Sequence, residues 1–193
     1  MVKYEHEILM KVGIKMARGF KIVSAYANQG LHLPYRTTKQ AAGYDFEAAE
    51  DFTLPSIWKF NFIKVLWQIR HQNQPTEADL DAAAKVLKPW LVPTGIKSFM
   101  NDGEYLLIAN RSSNPLKRNL ILPNGIGVID ADYYDNAKNE GAIYVQLINV
   151  GIRDVHIKKG ERIAQGIFSQ YLTATDEEDV TTTRSGGFGS TNK

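Results

Sequence analysis

The stretch "LILPNGIGVID", residues 120–130, decides the fold class of this chain. Apart from its central turn it consists mainly of leucine, isoleucine and valine, which favour strands. The run Pro123-Asn124-Gly125 has the composition of a tight turn, because proline presets one backbone angle and Asn or Gly tolerates a positive φ. Short apolar runs broken by such turns are typical of antiparallel β-structure.

The same pattern continues in both directions along the chain. Residues 8–16 carry an apolar side chain at every second position, which is the period of a half-buried strand. Turns rich in Gly, Asn, Asp and Pro separate further strand-like runs, which lie at residues 20–26, 44–48, 103–110, 142–150 and 162–172. Many short strands with regular turns predict an all-β domain of the sandwich or barrel type.

Residues 56–90 interrupt this rhythm. After Pro75 the residues favour a helix, and Thr76 can cap its start together with Asp79 three residues on. One face of this helix would be apolar, and it carries Leu80, Ala83, Ala84 and Leu87. Residues 56–70 are apolar nearly all round. We therefore expect a two-helix hairpin inserted into the β domain, either as a stabilising addition or, through Trp58 and Trp67, as an interface with another protein.

Composition narrows the function classes. The chain has 193 residues, a net charge of +2 and no cysteine. The length suits one domain, the charge is too small for a general nucleic-acid binder, and any metal must be bound by oxygen or histidine. No run approaches the ~20 apolar residues of a membrane span. We expect a cytoplasmic protein with no nucleic-acid or membrane partner, in which a few arginines bind any anionic ligand.

Two internal motifs carry side chains suited to chemistry. Arg111, Ser112 and Ser113 combine a guanidinium with two hydroxyls, a grouping that suits phosphate oxygens, although a solvated turn is the simpler reading. Asp130 and Asp132 follow an apolar run and share a side if the segment is extended, with the next tyrosine facing oppositely. Partial burial would tune such a carboxylate for base catalysis, while two aspartates ending a strand are the alternative.

The closing segment "RSGGFGST", residues 184–191, can bury almost no aliphatic surface. Its glycines expose backbone N–H groups, Arg184, Ser190 and Thr191 are suited to phosphate, and Phe188 can cover a planar base. It follows no strand and opens no helix, which excludes a Walker-type phosphate loop. A disordered tail is the alternative.

Taken together and in order, five segments resemble the motifs of the trimeric dUTPase family: "AAGYDFEA" at 41–48, "RSS" at 111–113, "NGIGVIDADY" at 124–133, "RIAQ" at 162–165 and "RSGGFGST" at 184–191. "LVPTGIK", residues 91–97, also resembles the family's link between its first two motifs. The resemblance implies a jelly-roll-like β fold assembled as a homotrimer, with active sites shared between chains. The implied reaction is hydrolysis of dUTP to dUMP and pyrophosphate.

The resemblance also implies roles for single residues. Asp130 would be the general base for the water that attacks the α-phosphorus, and Tyr133 would lie against the deoxyribose. Asn124, together with the backbone after it and Ile129, would bind uracil. On the phosphate side, Ser112, Ser113 and Gln165 would bind the phosphate chain.

Magnesium would bridge the three phosphates, with Asp45 holding one of the waters of the ion. Arg111 and Arg162 have two open roles, either binding phosphate or bracing neighbouring acidic residues across the trimer. Residues 176–193 would form a flexible arm that closes over the site of a neighbouring chain. In that arm Phe188 would stack on uracil, while the γ-phosphate would be covered by Arg184, Ser190 and Thr191.

The chain departs from the family pattern at two points. Asp135 stands where a glycine is common, and "NAKNEG" at 136–141 lengthens the hairpin beside the expected uracil site. Arg184 lies four residues before Phe188, where five is frequent. The nearest alternative is a dCTP deaminase, which shares the fold and an arginine-serine-serine motif but not the Asp-x-Asp-Tyr run. A dUTPase-like regulator that binds a partner through residues 56–90 is a further alternative.

Overall fold

The computed structural model describes residues 18–177 and Gly187. The strand predicted over residues 8–16 therefore lies outside the described residues. So do four residues predicted to bind substrate, which are Arg184, Phe188, Ser190 and Thr191.

The described chain is built mainly from short β-strands whose named pairings are all antiparallel. In chain order the strands are β1 (Gly19–Ile22), β2 (Tyr44–Glu47), β3 (Phe52–Leu54), β4 (Trp90–Pro93), β5 (Ile96–Phe99), β6 (Glu104–Asn110), β7 (Leu120–Ile121), β8 (Ile126–Asp130), β9 (Tyr144–Asn149), β10 (Val155–Ile157) and β11 (Arg162–Gln170). The all-β class predicted from the sequence is confirmed.

Four strands form the largest sheet, in the order β2-β11-β6-β8. A second sheet has the order β4-β9-β7, and two further pairs join β1 to β5 and β3 to β10. The core lies between these sheets because alternate residues of β6 and β9 point inward and are fully buried. Among the largest side chains in this core are Phe46, Leu106, Leu147 and Ile163.

One of the predicted strands differs from the structure: the run at 20–26 ends as a strand at Ile22, and Ser24–Tyr26 forms a 3-10 turn instead. The turn predicted within residues 120–130 is confirmed, because it separates β7 from β8 and Gly125 there has a φ of 69°. Local composition sets where a turn is allowed, but strand length depends on which partner strand is within reach.

The predicted helical hairpin is present as α1 (Phe60–Arg70) and α2 (Glu77–Leu87). The Thr76 cap is confirmed, because its hydroxyl accepts a hydrogen bond from the Asp79 backbone N–H at 3.2 Å. A Lys64–Asp79 ion pair of 2.7 Å joins the two helices. The apolar face of α2 is buried at Ala83, whereas Leu80 is still 40% exposed.

The first helix starts later than predicted, because Ser56 is part of the body. Its hydroxyl donates to the Gly151 carbonyl at 2.6 Å, and its N–H donates to Asp154 Oδ1 at 2.9 Å. In residues 18–177, no helix combines the length and the apolar character that crossing a membrane requires.

Candidate active site

A cavity of about 160 Å³ opens between strands β8 and β9. β8 is an edge strand of the four-stranded sheet, and β9 is the central strand of the other. Two strands from different sheets therefore enclose a cleft without interrupting a hydrogen-bonded ladder. Its lining contains four residues that the sequence assigned to uracil, sugar and catalysis: Asn124, Ile129, Asp130 and Tyr133.

Tyr133 forms one wall of this cavity and is only 5% exposed. Its hydroxyl donates to the Ala142 carbonyl oxygen at 3.0 Å and accepts from the Asn139 side-chain amide at 2.7 Å. Both capacities of a buried phenol are thus satisfied, as burial of a polar group requires. The ring is fixed at its polar end.

Asp130 ends β8 and stands at the rim of the same cavity, half-buried. The chain then turns into a 3-10 helix over Ala131–Tyr133. The opposite facing of Tyr133 applied to an extended segment; because the chain turns here, Asp130 and Tyr133 line the same cavity. Asp132 is exposed to solvent. A half-buried carboxylate beside a cleft is a suitable position for a general base.

A second cluster of predicted residues surrounds Asp45, whose side chain is 13% exposed. Arg111 Nε donates to Asp45 Oδ1 at 2.9 Å, and Arg162 Nη1 donates to Oδ2 at 3.0 Å. The hydroxyl of Thr37 also donates to Oδ2, at 2.8 Å. Both arginines thus brace an acidic residue of their own chain, whereas the two roles predicted for them, phosphate binding or bracing of acidic residues across the trimer, stay predictions.

The serine pair Ser112–Ser113 leaves this cluster directly after Arg111 and begins a π-helical turn over Asn114–Arg118. Asn114 is fully buried and donates to the Ile163 carbonyl oxygen at 2.8 Å and to Asn110 Oδ1 at 2.7 Å. These bonds attach the serine turn to β11 and to the end of β6.

Gln165 lies on β11 and pairs in register with Asp45. Its amide donates to the Asn110 carbonyl oxygen at 3.1 Å. The predicted phosphate ligands Ser112, Ser113 and Gln165 therefore lie around the same end of β6.

Within one chain the two clusters lie at opposite ends of β6. Asp130 pairs in register with Tyr105, whereas Arg111 follows Asn110 at the other end of the strand. Six residues of extended strand span about 20 Å. Asp130 and the serine turn of one chain are thus too far apart to contact adjacent phosphates of one triphosphate.

The described residues contain no cluster of three or more His, Asp or Glu side chains that could hold a metal ion. Asp45 is the carboxylate predicted to act through a water, and a carboxylate has about four acceptor positions. Donors from Arg111, Arg162 and Thr37 take three of these. The remaining position on Oδ1 fits one ion-bound water, so this residue set fits an ion held mainly by phosphates.

Gly187 is the described residue of the closing motif, and it lies against Tyr133 of its own chain. A Cβ atom at Gly187 would be 2.7 Å from Tyr133 Cε2 and 3.0 Å from the hydroxyl oxygen. Only a residue without a side chain allows the backbone so close to the ring. Closure over a neighbouring chain's site stays a prediction.

Sequence reasoning missed several residues of the site. Tyr144 and Gln146 line the cavity from β9, Thr37 binds Asp45, and Asn139 binds Tyr133. Nothing in the sequence around Thr37 indicated its contact with Asp45. The two residues are eight positions apart in irregular chain, where no repeating pattern shows which side chains meet. Asn139 lies in the lengthened segment that the sequence did mark as unusual.

Comparison with known proteins gives consistent results. A family model described as dUTPase matches residues 77–192. The protein named deoxyuridine 5'-triphosphate nucleotidohydrolase from Lactococcus lactis is 41% identical over 175 residues, which is 90% of this chain and 97% of that relative.

Solved structures also match. The crystal structure of a dUTPase from Streptococcus mutans has a TM-score of 0.62 and 36% identity, and the match covers 81% of this chain and 98% of that one. A mutant dUTPase from phage phi11 of S. aureus, described with the coordination of a structural Mg(II) ion, has a TM-score of 0.56 and 16% identity over 86% of this chain and 98% of that one. At that identity the second likeness concerns the fold alone.

Proposed function

The chain belongs to the dUTPase family, and on that premise we propose that it hydrolyses dUTP to dUMP and pyrophosphate. The observation that carries the proposal is the cavity between β8 and β9, where Asn124, Asp130 and Tyr133 meet. The amide of Asn124 can hydrogen-bond the edge of a base, and the carboxylate of Asp130 can orient a water. The ring of Tyr133 can pack against a sugar.

In the proposed reaction, Asp130 orients a water molecule and accepts its proton. The water oxygen forms a bond to the α-phosphorus, the bond from that phosphorus to the bridging oxygen breaks, and pyrophosphate leaves with the bonding electrons. Phosphoryl chemistry of this kind depends on positioning and on neutralised charge more than on covalent catalysis. A single well-placed carboxylate at the cavity rim is therefore sufficient as the base.

Nucleoside selectivity follows from the walls of the cavity. In the proposed complex the buried ring of Tyr133 would leave no space for a ribose 2′-hydroxyl, and the turn containing Asn124 would leave none for the methyl group of thymine. Cytosine presents a donor where uracil presents an acceptor, so it would leave a buried polar group unpaired.

We propose that the active unit is a homotrimer with shared sites. The supporting argument is the spacing along β6, where about 20 Å separates Asp130 from the serine turn of its own chain. A complete site then requires Ser112 and Ser113 from a neighbouring chain. The edge strand β8 also exposes apolar side chains beside the cavity, with Val128 53% exposed, as a subunit contact would require.

Mg²⁺ belongs to the proposal as an ion carried by the three phosphates, whose charge it would neutralise when bound. Asp45 would hold one of its waters through the acceptor position left on Oδ1. Arg111 and Arg162 keep that carboxylate in place. Residues 176–193 complete the proposed site as an arm in which Phe188 covers uracil and Arg184, Ser190 and Thr191 cover the γ-phosphate.

The test is a pyrophosphate-release assay with dUTP, dTTP, dCTP and UTP. We expect release from dUTP alone. Release of ammonia from dCTP without pyrophosphate would instead show a deaminase. Equal release from dUTP and dTTP would contradict the assignment of the uracil-binding wall.

A second role, recruitment of another protein, is proposed for the helical hairpin. Supporting it, α1 keeps large apolar side chains in solvent, with Trp67 56% and Ile69 57% exposed. Replacing residues 60–88 with a short glycine-serine linker tests it and leaves β4, which begins at Trp90, intact. Unchanged turnover, trimer mass and set of captured proteins would show that the hairpin is a structural addition only.

A further inference from the structure

Residues 134–141, the segment by which this chain departs from the family pattern, fold back around Tyr133. Asn136 donates from its side-chain amide to the Tyr133 carbonyl oxygen at 2.8 Å. Asn139 donates to the Tyr133 hydroxyl at 2.7 Å. The segment therefore holds this tyrosine at both its backbone and the far end of its ring.

The orientation of the Asn139 amide follows from its other contacts. Its Oδ1 accepts from the Asn136 amide at 2.8 Å and from the Gly141 N–H at 3.3 Å. Because the oxygen is committed to these two donors, the amino group must face the Tyr133 hydroxyl. That hydroxyl accepts from Asn139 and so donates its own proton to the Ala142 carbonyl oxygen.

Lys97 on β5 anchors the whole segment. It is 7% exposed, and its Nζ lies 2.5 Å from both Asp135 Oδ1 and Glu140 Oε1. Glu140 also accepts from the Ser24 backbone N–H at 2.8 Å. Two carboxylates at opposite ends of one short segment thus share a single buried ammonium group.

This anchor offsets a backbone cost. Asp135 and Glu140 have φ angles of 53° and 61°, in the left-handed region, which is unfavourable for a residue with a side chain and more so for Glu than for Asp. Burial by itself lowers the pKa of Lys97, but its hydrogen bonds and charge contacts with Asp135 and Glu140 outweigh burial and raise it. The lysine therefore stays charged between its two partners, and the strained ends of the segment are held.

We propose that Asn139 is a positioning residue that sets selectivity for 2′-deoxyribose by fixing the ring of Tyr133. The inference rests on the proposed function. A ring excludes an additional hydroxyl group only if it cannot move away when that group approaches. Here the amide of Asn139, held by Asn136 and ultimately by Lys97, restrains that movement.

The experiment compares kcat/KM for dUTP and UTP in the wild-type protein, N139A, Y133F and the double variant Y133F/N139A. We expect N139A to lower the dUTP-to-UTP ratio at least tenfold, mainly through faster turnover of UTP. Y133F lacks the hydroxyl that Asn139 binds. Adding N139A to Y133F should therefore change the ratio no further, which is the signature of two residues that act through one contact.

K138A is the matched control, because Lys138 lies in the same segment with an exposed side chain; its ratio should equal that of the wild type. If N139A does not fold by circular dichroism, N139S serves, since its shorter side chain cannot reach the phenol. A folded N139 variant with an unchanged ratio overturns the inference, as does an undiminished effect of N139A in the Y133F background. A wild-type protein that leaves dUTP intact refutes the proposed function instead.

Discussion

The Nε atom of Arg111 lies 2.9 Å from Asp45 Oδ1, across 66 positions of sequence. Arg162 binds the other oxygen of the same carboxylate at 3.0 Å. Three strands or strand ends, β2, β6 and β11, are thus joined through one acidic side chain. Because Ser112 follows Arg111 directly, this ion cluster also sets where the predicted phosphate-binding turn begins.

Replacing Asp45 with asparagine tests the importance of this cluster. D45N keeps the shape but leaves two guanidinium groups without their counter-charge and turns one acceptor into a donor. We expect the free energy of unfolding to fall by about 2 kcal/mol, the scale of hydrogen bonds to charged groups. Urea unfolding followed by circular dichroism measures it.

The control for D45N is D51N. Asp51 pairs with Lys158 at 3.1 Å on the surface, with a side chain that is 64% exposed, and such pairs contribute little. A D45N protein as stable as D51N would show that the Asp45 cluster is not a structural link.

Replacing Asp130 with asparagine removes the proposed base while keeping its size. We expect kcat for dUTP to fall by at least ~100-fold, because a positioned base contributes that much, while nucleotide binding is retained. Single-turnover kinetics with calorimetric binding of a non-hydrolysable dUTP analogue separates the two effects. D102N, at an exposed aspartate in the turn before β6, is the control and should turn over dUTP like the wild type.

If active sites are shared between chains, two variants that are each inactive should restore activity when they form mixed trimers. D130N lacks the base, and the double variant S112A/S113A lacks the proposed phosphate ligands. In mixed trimers some sites combine an intact Asp130 from one chain with an intact serine pair from its neighbour. After unfolding and refolding an equal mixture, about one quarter of the sites should be complete. Turnover no higher than that of either variant alone would mean that each chain forms its own site.

We expect Glu104 to account for part of the loss of folding stability at acidic pH. The hydrogen bond from Arg18, followed by contacts from Asn101, lowers the pKa of Glu104 from 4.5 to about 2. A lowered folded-state pKa contributes stability that is fully present above pH 4.5 and is lost as the pH falls towards 2. The wild type should therefore lose its advantage over E104Q across that interval, as measured by urea unfolding at several pH values.

R18M provides an independent check of the same contact. It removes the donor that lowers the Glu104 pKa, so its stability should depend on pH less steeply between 4.5 and 2, as in E104Q. If the difference between wild type and E104Q is constant over this interval, the Arg18–Glu104 contact does not control acid unfolding.

Local features of the fold were predictable because they depend on neighbouring residues. Turn composition around Asn124 and the strand-like run at residues 142–150 identified strands, and the Thr76 cap identified the start of a helix. The three-residue strands β3 and β10 were missed. They are too short for a period of two to appear, and they exist only because they pair with each other.

The candidate site divides in the same way. Motif order brought Asn124, Asp130 and Tyr133 to attention, and the structure places all three on one cavity. An opposite orientation of Tyr133 required an extended segment, whereas a 3-10 turn follows Asp130, and the strand pattern before it contains no sign of that turn. Asn139 was part of a segment recognised as unusual, but its contact with the phenol could not be read from its position.

The sequence alone identified this protein as an all-β member of the dUTPase family with an inserted helical hairpin. It also identified a set of candidate site residues. Tertiary structure decided which distant residues are in contact, such as Asp45 with two arginines and Lys97 with Asp135 and Glu140. It also decided which are kept apart, because Asp130 and the serine turn lie at opposite ends of β6. Periodicity and turn chemistry act over a few residues. Contacts between distant residues depend on strand register and packing, which only the folded chain establishes.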